Sequence, residues 1–105
     1  MKNNDISLTI RIPENLHKQL SELAKSLGVT KVTLLRFAIH LFLSDKPTKL
    51  TFNTVSADKK HRFVFNINQM TYDLLSSAGK EYQQSINNVV TEITVLALKH
   101  YSRYL

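Results

Sequence analysis

Two short segments of alternating polar and apolar residues constrain the fold of this 105-residue chain more than any other feature. They are SLTIRIP at 7–13 and RFVFNIN at 62–68, and their period of two is that of a β-strand. Neither has a hairpin partner nearby, and an unpaired strand would leave its backbone N–H and C=O groups without hydrogen bonds. The sequence therefore predicts that 7–12 and 62–67 pair with each other as an antiparallel two-stranded ribbon.

Two helical segments follow the first strand. Leucines recur at helical spacing from Pro13 to Leu27, and Gly28 occupies the position where helices commonly end in a left-handed residue. Thr30 suits the N-cap of a second helix, predicted over 31–44. That helix is apolar on most sides, which predicts that it is buried at the centre of the fold.

The order of these elements repeats at a spacing of 55 residues. Ile12 then falls on Ile67, and the N-cap residue Thr30 falls on Ser85. The apolar pattern of both helices also repeats, which indicates an internal duplication of strand–helix–helix. Each half has about 40 residues, too few to bury a stable core alone, so the halves are expected to share one.

The predicted fold class is mainly α with a two-stranded antiparallel β-ribbon. The predicted organisation is one compact domain, 1–105, with its parts as follows: repeat 7–44, linker 45–61 and repeat 62–105. Segment 49–55 also alternates, so it is either a further extended segment packed on the body or plain linker. An arrangement in which like strands of two chains pair with each other also fits the pattern.

The two faces of the ribbon differ in character. Alternation directs six apolar side chains towards the helices: Leu8, Ile10, Ile12, Phe63, Phe65 and Ile67. The opposite face carries Ser7, Thr9, Arg11, Arg62, Val64 and Asn66. A solvated sheet face is one interpretation of this polar, β-branched set. The other is a DNA-contacting face, because a two-stranded ribbon fits the major groove.

The residue types of the outer face match the donor and acceptor pattern of base edges. Arginine can pair with guanine and asparagine with adenine, while serine and threonine take either role and Val64 can contact a thymine methyl group. The two helix starts add free N–H groups that attract phosphate. The predicted phosphate contacts there are Thr30, Lys31, Ser85 and Asn87, which could also be simple helix caps. Basic residues before each strand would flank the groove: Lys2, Lys59, Lys60 and His61.

The composition supports a polyanionic partner. The net charge is +6, which favours nucleic acid or an anionic membrane surface. The lysines do not gather on one amphipathic face, so no membrane partner is predicted. The absence of cysteine excludes disulfides and thiolate metal sites, and with no signal-peptide pattern it favours a cytoplasmic location.

No enzymatic function, metal or cofactor is predicted. The chain lacks a Gly-rich phosphate loop and a Gly-x-Ser-x-Gly elbow, and its acidic residues are scattered. The four histidines are expected not to form a close ligand pair with one another: His17, His40, His61 and His100.

The segment from Ser7 to Leu43 resembles a ribbon-helix-helix unit of the Arc/MetJ repressor type. The resemblance lies in the alternation, the Pro-Glu pair, an apolar helix, Gly-x-Thr-Lys and a second helix. The segment from Arg62 to Leu98 resembles a second, more diverged unit, which lacks the glycine before Ser85 and the proline after the strand.

The resemblance implies sequence-specific binding of double-stranded DNA by the outward strand residues and the helix starts. Tandem members are associated with plasmid conjugation, as relaxosome accessory proteins, or with plasmid gene control. The implied partners are DNA, further copies on adjacent sites, and a relaxase or other DNA-processing protein. Because the two strands differ, the DNA site is expected to be asymmetric. The alternatives are an antitoxin-type protein, although little chain remains for a toxin-binding tail, and a non-specific architectural protein.

Overall fold

The structure is a computed structural model that describes residues 6–45, 48–52 and 59–104. The chain is mainly helical, and its strand–helix–helix order occurs twice. In chain order the elements are β1 (Ile6–Pro13), α1 (Glu14–Leu27), α2 (Lys31–His40), a π-helical turn (Leu41–Asp45), β2 (Lys60–Ile67), α3 (Gln69–Tyr82), α4 (Ile86–Tyr101) and a 3₁₀ turn (Ser102–Tyr104). Each helix of the second half begins 55 residues after its counterpart, as the sequence repeat predicts.

The strands β1 and β2 pair antiparallel along their whole length, from Ile6 opposite Ile67 to Pro13 opposite Lys60. The predicted pairing is therefore confirmed, and both strands extend slightly beyond the predicted limits. The pairing satisfies one row of backbone groups on each strand. It also brings the start of each half beside the start of the other, although they lie far apart in the chain.

The inner face of the ribbon lies on the helices. Its apolar side chains are buried as predicted, except that Leu8 is half-buried. Beneath it, α2 packs against α4 through side chains that are fully buried: Leu35, Ile39, Val89, Val90 and Ile93. Each such side chain contributes about 1.5–3 kcal/mol through its removal from water. This shared core stabilises the ribbon and both helix pairs together.

Helix α2 is shorter than predicted and less completely buried. It ends at His40, and the chain continues to Asp45 as a π-helical turn. The buried ring of Phe42 holds this turn to the core, and the Phe42 carbonyl accepts a hydrogen bond from the Thr48 N–H. Phe37 is 62% exposed, because α2 covers the core with its other faces. The expectation of burial on most sides is wrong for this position.

The segment after the π-helical turn packs on the second half without forming a strand in residues 48–52. Leu50 is buried, and its N–H donates to the Tyr82 hydroxyl at 3.2 Å. The rings of Phe52 and Tyr82 lie 5.4 Å apart. Of the two interpretations of 49–55, packing on the body fits residues 49–52, while 53–55 lie outside the described residues.

The first helix of each half ends in the same backbone motif. Gly28 has a φ of 76°, and the Val29 N–H donates to the Ala24 carbonyl at 3.0 Å. In the second half Gln83 has a φ of 56°, and the Gln84 N–H donates to the Gly79 carbonyl at 2.8 Å. Both are Schellman motifs. The second half thus retains the left-handed turn although a glycine is missing there.

Because Gln83 adopts a conformation that favours glycine, we expect Gln83→Gly to stabilise the chain by about 0.5–1 kcal/mol. The matched change is Gly28→Ala, which should destabilise by about 1 kcal/mol. A Cβ at Gly28 would meet no atom within 4 Å, so its cost is conformational rather than steric. Urea unfolding followed by circular dichroism measures both. Destabilisation by Gln83→Gly would contradict the assignment of strain to this residue.

Candidate nucleic-acid interface

The outer face of the ribbon is exposed at all six predicted positions. The register places these side chains in three directly opposed pairs: Ser7 with Asn66, Thr9 with Val64, and Arg11 with Arg62. Val64 is 47% exposed, so an apolar group lies between two polar pairs in contact with solvent. The structure thus brings the six residues together on one narrow surface that the other described residues leave open.

Arg11 and Arg62 form a cross-strand pair of like charge. Directly opposed like charges destabilise a β-ribbon, and opposite-charge pairs stabilise it by about 0.2–1 kcal/mol. Within the described ranges, neither guanidinium makes a hydrogen bond or an ion pair. Two adjacent cations without a counter-charge attract an anion. Their direct opposition was not noticed in the sequence, although an antiparallel register with Ile6 opposite Ile67 implies it.

Both predicted helix caps are present. The Thr30 side chain accepts a hydrogen bond from the Thr33 N–H at 3.1 Å, and Ser85 accepts one from the Asn88 N–H at 3.1 Å. Both cap residues are exposed. A single cap leaves other first-turn N–H groups without a partner in the helix, so each helix start can still bind an anion.

The Lys31 side chain is engaged within the protein. Its Nζ lies 2.6 Å from Nε2 of His17 and 5.2 Å from the centre of the Phe63 ring. The half-buried Lys31 therefore rests against one end of the ribbon instead of extending freely into solvent. Its charge remains at the start of α2, as predicted, but with a fixed position.

His17 and His61 stack with their ring centres 3.6 Å apart and their planes at 14°. The expectation that no two histidines come close is wrong. The register explains the contact, because the beginning of β2 lies beside the end of β1, where α1 starts. Within the described residues, no group of three or more histidine, cysteine or acidic side chains could hold a metal ion.

The surroundings of His17 disfavour its protonation. Burial lowers the pKa of the His17 imidazole below its ordinary value of 6.5. The Lys31 ammonium and the His61 ring lower this pKa further, and the Glu14 carboxylate partly opposes them. A neutral His17 can accept the hydrogen bond from Lys31, so the cluster retains the lysine charge at the ribbon end.

Two side chains that sequence reasoning did not assign to this role hold the outer edges of the ribbon. Oδ1 of Asn87 accepts from the Arg11 N–H at 2.7 Å, and Nδ2 of Asn87 donates to the Arg11 carbonyl at 2.8 Å. At the other edge, the Arg36 guanidinium donates to the Asn66 carbonyl, with Nε at 3.1 Å. Asn87 was predicted to contact phosphate, but its side-chain amide is already bonded to the ribbon.

Comparison of the chain with protein-family models, with curated proteins and with solved structures found no match. Among the described helices, none alone is long and apolar enough to cross a membrane; α1 and α2 with its π-helical turn pass that test by length and composition only as a pair bent by 94°.

The opposed arginines predict that Arg62→Gln stabilises the free protein by about 0.2–1 kcal/mol at low salt, because it removes a like-charge contact. The gain should shrink at high salt. Lys18→Gln is the matched control, since it removes one exposed positive charge from α1. Urea unfolding at two salt concentrations measures both variants. Equal gains from the two changes would assign the effect to net charge instead of the pair.

The lowered pKa of His17 predicts that its contribution to stability depends on pH. Below the ordinary value of 6.5 the unfolded chain binds a proton that the folded chain resists, so stability is lost as pH falls towards the folded-state pKa. Above 6.5 the contribution is complete. The difference in unfolding free energy between wild type and His17→Gln should therefore shrink from about pH 7.5 to about pH 5.5.

Urea unfolding at both pH values provides this measurement. His40→Gln is the histidine control, because His40 bonds to Thr71 and lies apart from the cluster. A wild-type advantage over His17→Gln that is the same at both pH values would contradict the prediction.

Proposed function

We propose that this chain is a sequence-specific double-stranded DNA-binding protein of the tandem ribbon-helix-helix type. The observation that carries the proposal is the open outer face of the ribbon, with its paired arginines and four further side chains that suit base edges. In this proposal the two halves of one chain supply the ribbon that two identical chains supply in a homodimer. The net charge of +6 supports the choice of a polyanionic partner.

The dimensions of the ribbon suit the major groove. Two paired strands lie about 4.8 Å apart, and the groove of B-DNA is about 12 Å wide. The six outer side chains can then extend to base edges from both strands. In this position Arg11 and Arg62 would gain the anionic surroundings that the free protein lacks, because phosphates line the groove.

The helix starts lie where the DNA backbone would pass. Asn87, in the first turn of α4, bonds to β1, and Lys31, in the first turn of α2, lies against Phe63 of β2. One helix start therefore flanks each strand of the ribbon. Contacts of this kind to phosphate fix the position of a protein on the duplex, while base contacts provide specificity.

The DNA site should be asymmetric. Each opposed pair on the outer face except the arginines combines two different residue types, so β1 and β2 would present different contacts to their halves of the site. Arg11 and Arg62 suit guanine and Asn66 suits adenine. The proposed role in the cell, from the resemblance, is gene control or relaxosome assembly of a plasmid or mobile element in the cytoplasm.

Selection of bound duplexes from a random DNA pool tests the proposal. We expect one asymmetric sequence whose binding survives excess random DNA. Arg11→Ala should weaken binding to that sequence by about 1–3 kcal/mol and relax base preference at one position. Gel-shift titration at fixed salt measures these changes, and Lys18→Gln again controls for the loss of one charge.

Two outcomes would contradict the proposal. Binding that disappears under random competitor would indicate an architectural protein that binds DNA through charge alone. Equal binding to a palindrome built from either half of the selected site would exclude an asymmetric ribbon. If Arg11→Ala changed neither affinity nor base preference, the ribbon would not be the DNA-contacting surface.

A further inference from the structure

The bonds between Asn87 and Arg11 occupy a backbone position that a third strand would otherwise fill. In an antiparallel pair, the N–H and C=O of one residue point to the same side. Both groups of Arg11 bond to Asn87, so both lie on the outer edge of β1. The side-chain amide matches them as the peptide of a neighbouring strand would. These two bonds, called the Asn87 clamp below, join residues 76 positions apart.

The clamp connects two parts of the proposed DNA interface. Asn87 lies in the first turn of α4, two residues after the cap residue Ser85. Arg11 carries the side chain with the largest expected share of base recognition. The clamp therefore sets the position of the Arg11 backbone relative to the helix start that would bind phosphate. A long, flexible guanidinium side chain loses less entropy on binding when its backbone is already held.

The opposite edge of the ribbon is held by different chemistry. The position 55 residues before Asn87 is Val32, whose side chain cannot form hydrogen bonds. There Arg36 of α2 donates to the carbonyl of Asn66, the residue 55 positions after Arg11. Both edges are thus held at corresponding positions although the residues differ. Holding these two backbone positions is therefore a property of the arrangement and not of one residue type.

We propose that Asn87 is a positioning residue that couples phosphate binding at the start of α4 to base recognition by Arg11. This inference rests on the proposed DNA-binding function. It replaces the direct phosphate contact expected of the Asn87 side chain, since both ends of its amide are bonded to the ribbon. Loss of the clamp should leave the charged contacts to DNA in place and weaken discrimination between sequences.

The test compares Asn87→Ala and Asn87→Gln in the full chain. The glutamine variant keeps the amide and the charge but displaces the amide by one methylene group, so it controls for loss of polarity. Asn88→Ala is the matched control, because the Asn88 side chain is exposed and donates to Gln84 rather than to the ribbon. Circular dichroism melts establish the temperature at which all variants are folded, and the binding assays are performed below it.

Both Asn87 variants should lower affinity for the selected duplex by about tenfold and leave affinity for random duplex within about twofold. Asn88→Ala should change neither. In an Arg11→Ala background, Asn87→Ala should cause no further loss, because the clamp acts through Arg11. Without DNA, the Arg11 amide should exchange its hydrogen at least about tenfold faster in both Asn87 variants, since it loses its hydrogen-bond acceptor.

Three results would each overturn the inference. Equal weakening on selected and random duplex would indicate direct phosphate contact. A loss that persists in the Arg11→Ala background would indicate an effect independent of Arg11. Unchanged exchange of the Arg11 amide would show that the clamp does not form in solution. If the wild-type chain prefers no sequence at all, the proposed function fails and the coupling with it; a selective wild type with selective Asn87 variants overturns the coupling alone.

Discussion

The fold depends on the pairing of two strands that have no local partner. Each strand is followed by about 40 residues, too few to form a core alone. Once β1 and β2 pair, their apolar faces cover the same four helices, and α2 meets α4 at the centre. The same pairing defines the opposite face, because every side chain that alternation removes from the core is placed on one outer surface. Core and candidate interface therefore result from a single register.

Local rules were sufficient to predict much of the structure from the sequence. A period of two gave both strands and assigned each side chain to a face, and cap chemistry placed the starts of α2 and α4 at Thr30 and Ser85. The end of α2 escaped prediction, because the π-helical turn depends on how Phe42 fits the core. Gln83 escaped as well, since the surrounding Schellman motif overrides its weak preference for a left-handed conformation.

The contacts that organise the candidate site are of a different kind. The Asn87 clamp, the bond from Arg36 to Asn66 and the stack of His17 on His61 each join distant parts of the chain. Periodicity carries no information about a side chain that bonds to the backbone of another element. Only the register of the ribbon and the packing of the helices decide which of these groups meet. A sequence could therefore suggest the residues of the surface but not the residues that position them.

The surface and the core place opposite demands on the same eight-residue strands. The core requires apolar side chains at alternate positions, and the two strands meet this requirement with similar residues, as Ile12 and Ile67 illustrate. The outer face has no such requirement for stability, and the opposed arginines make it less favourable in the free protein. A ribbon selected for stability alone would place opposite charges there. The retention of two cations, each beside an edge held by a separate helix, is better explained by an anionic partner that binds across both strands.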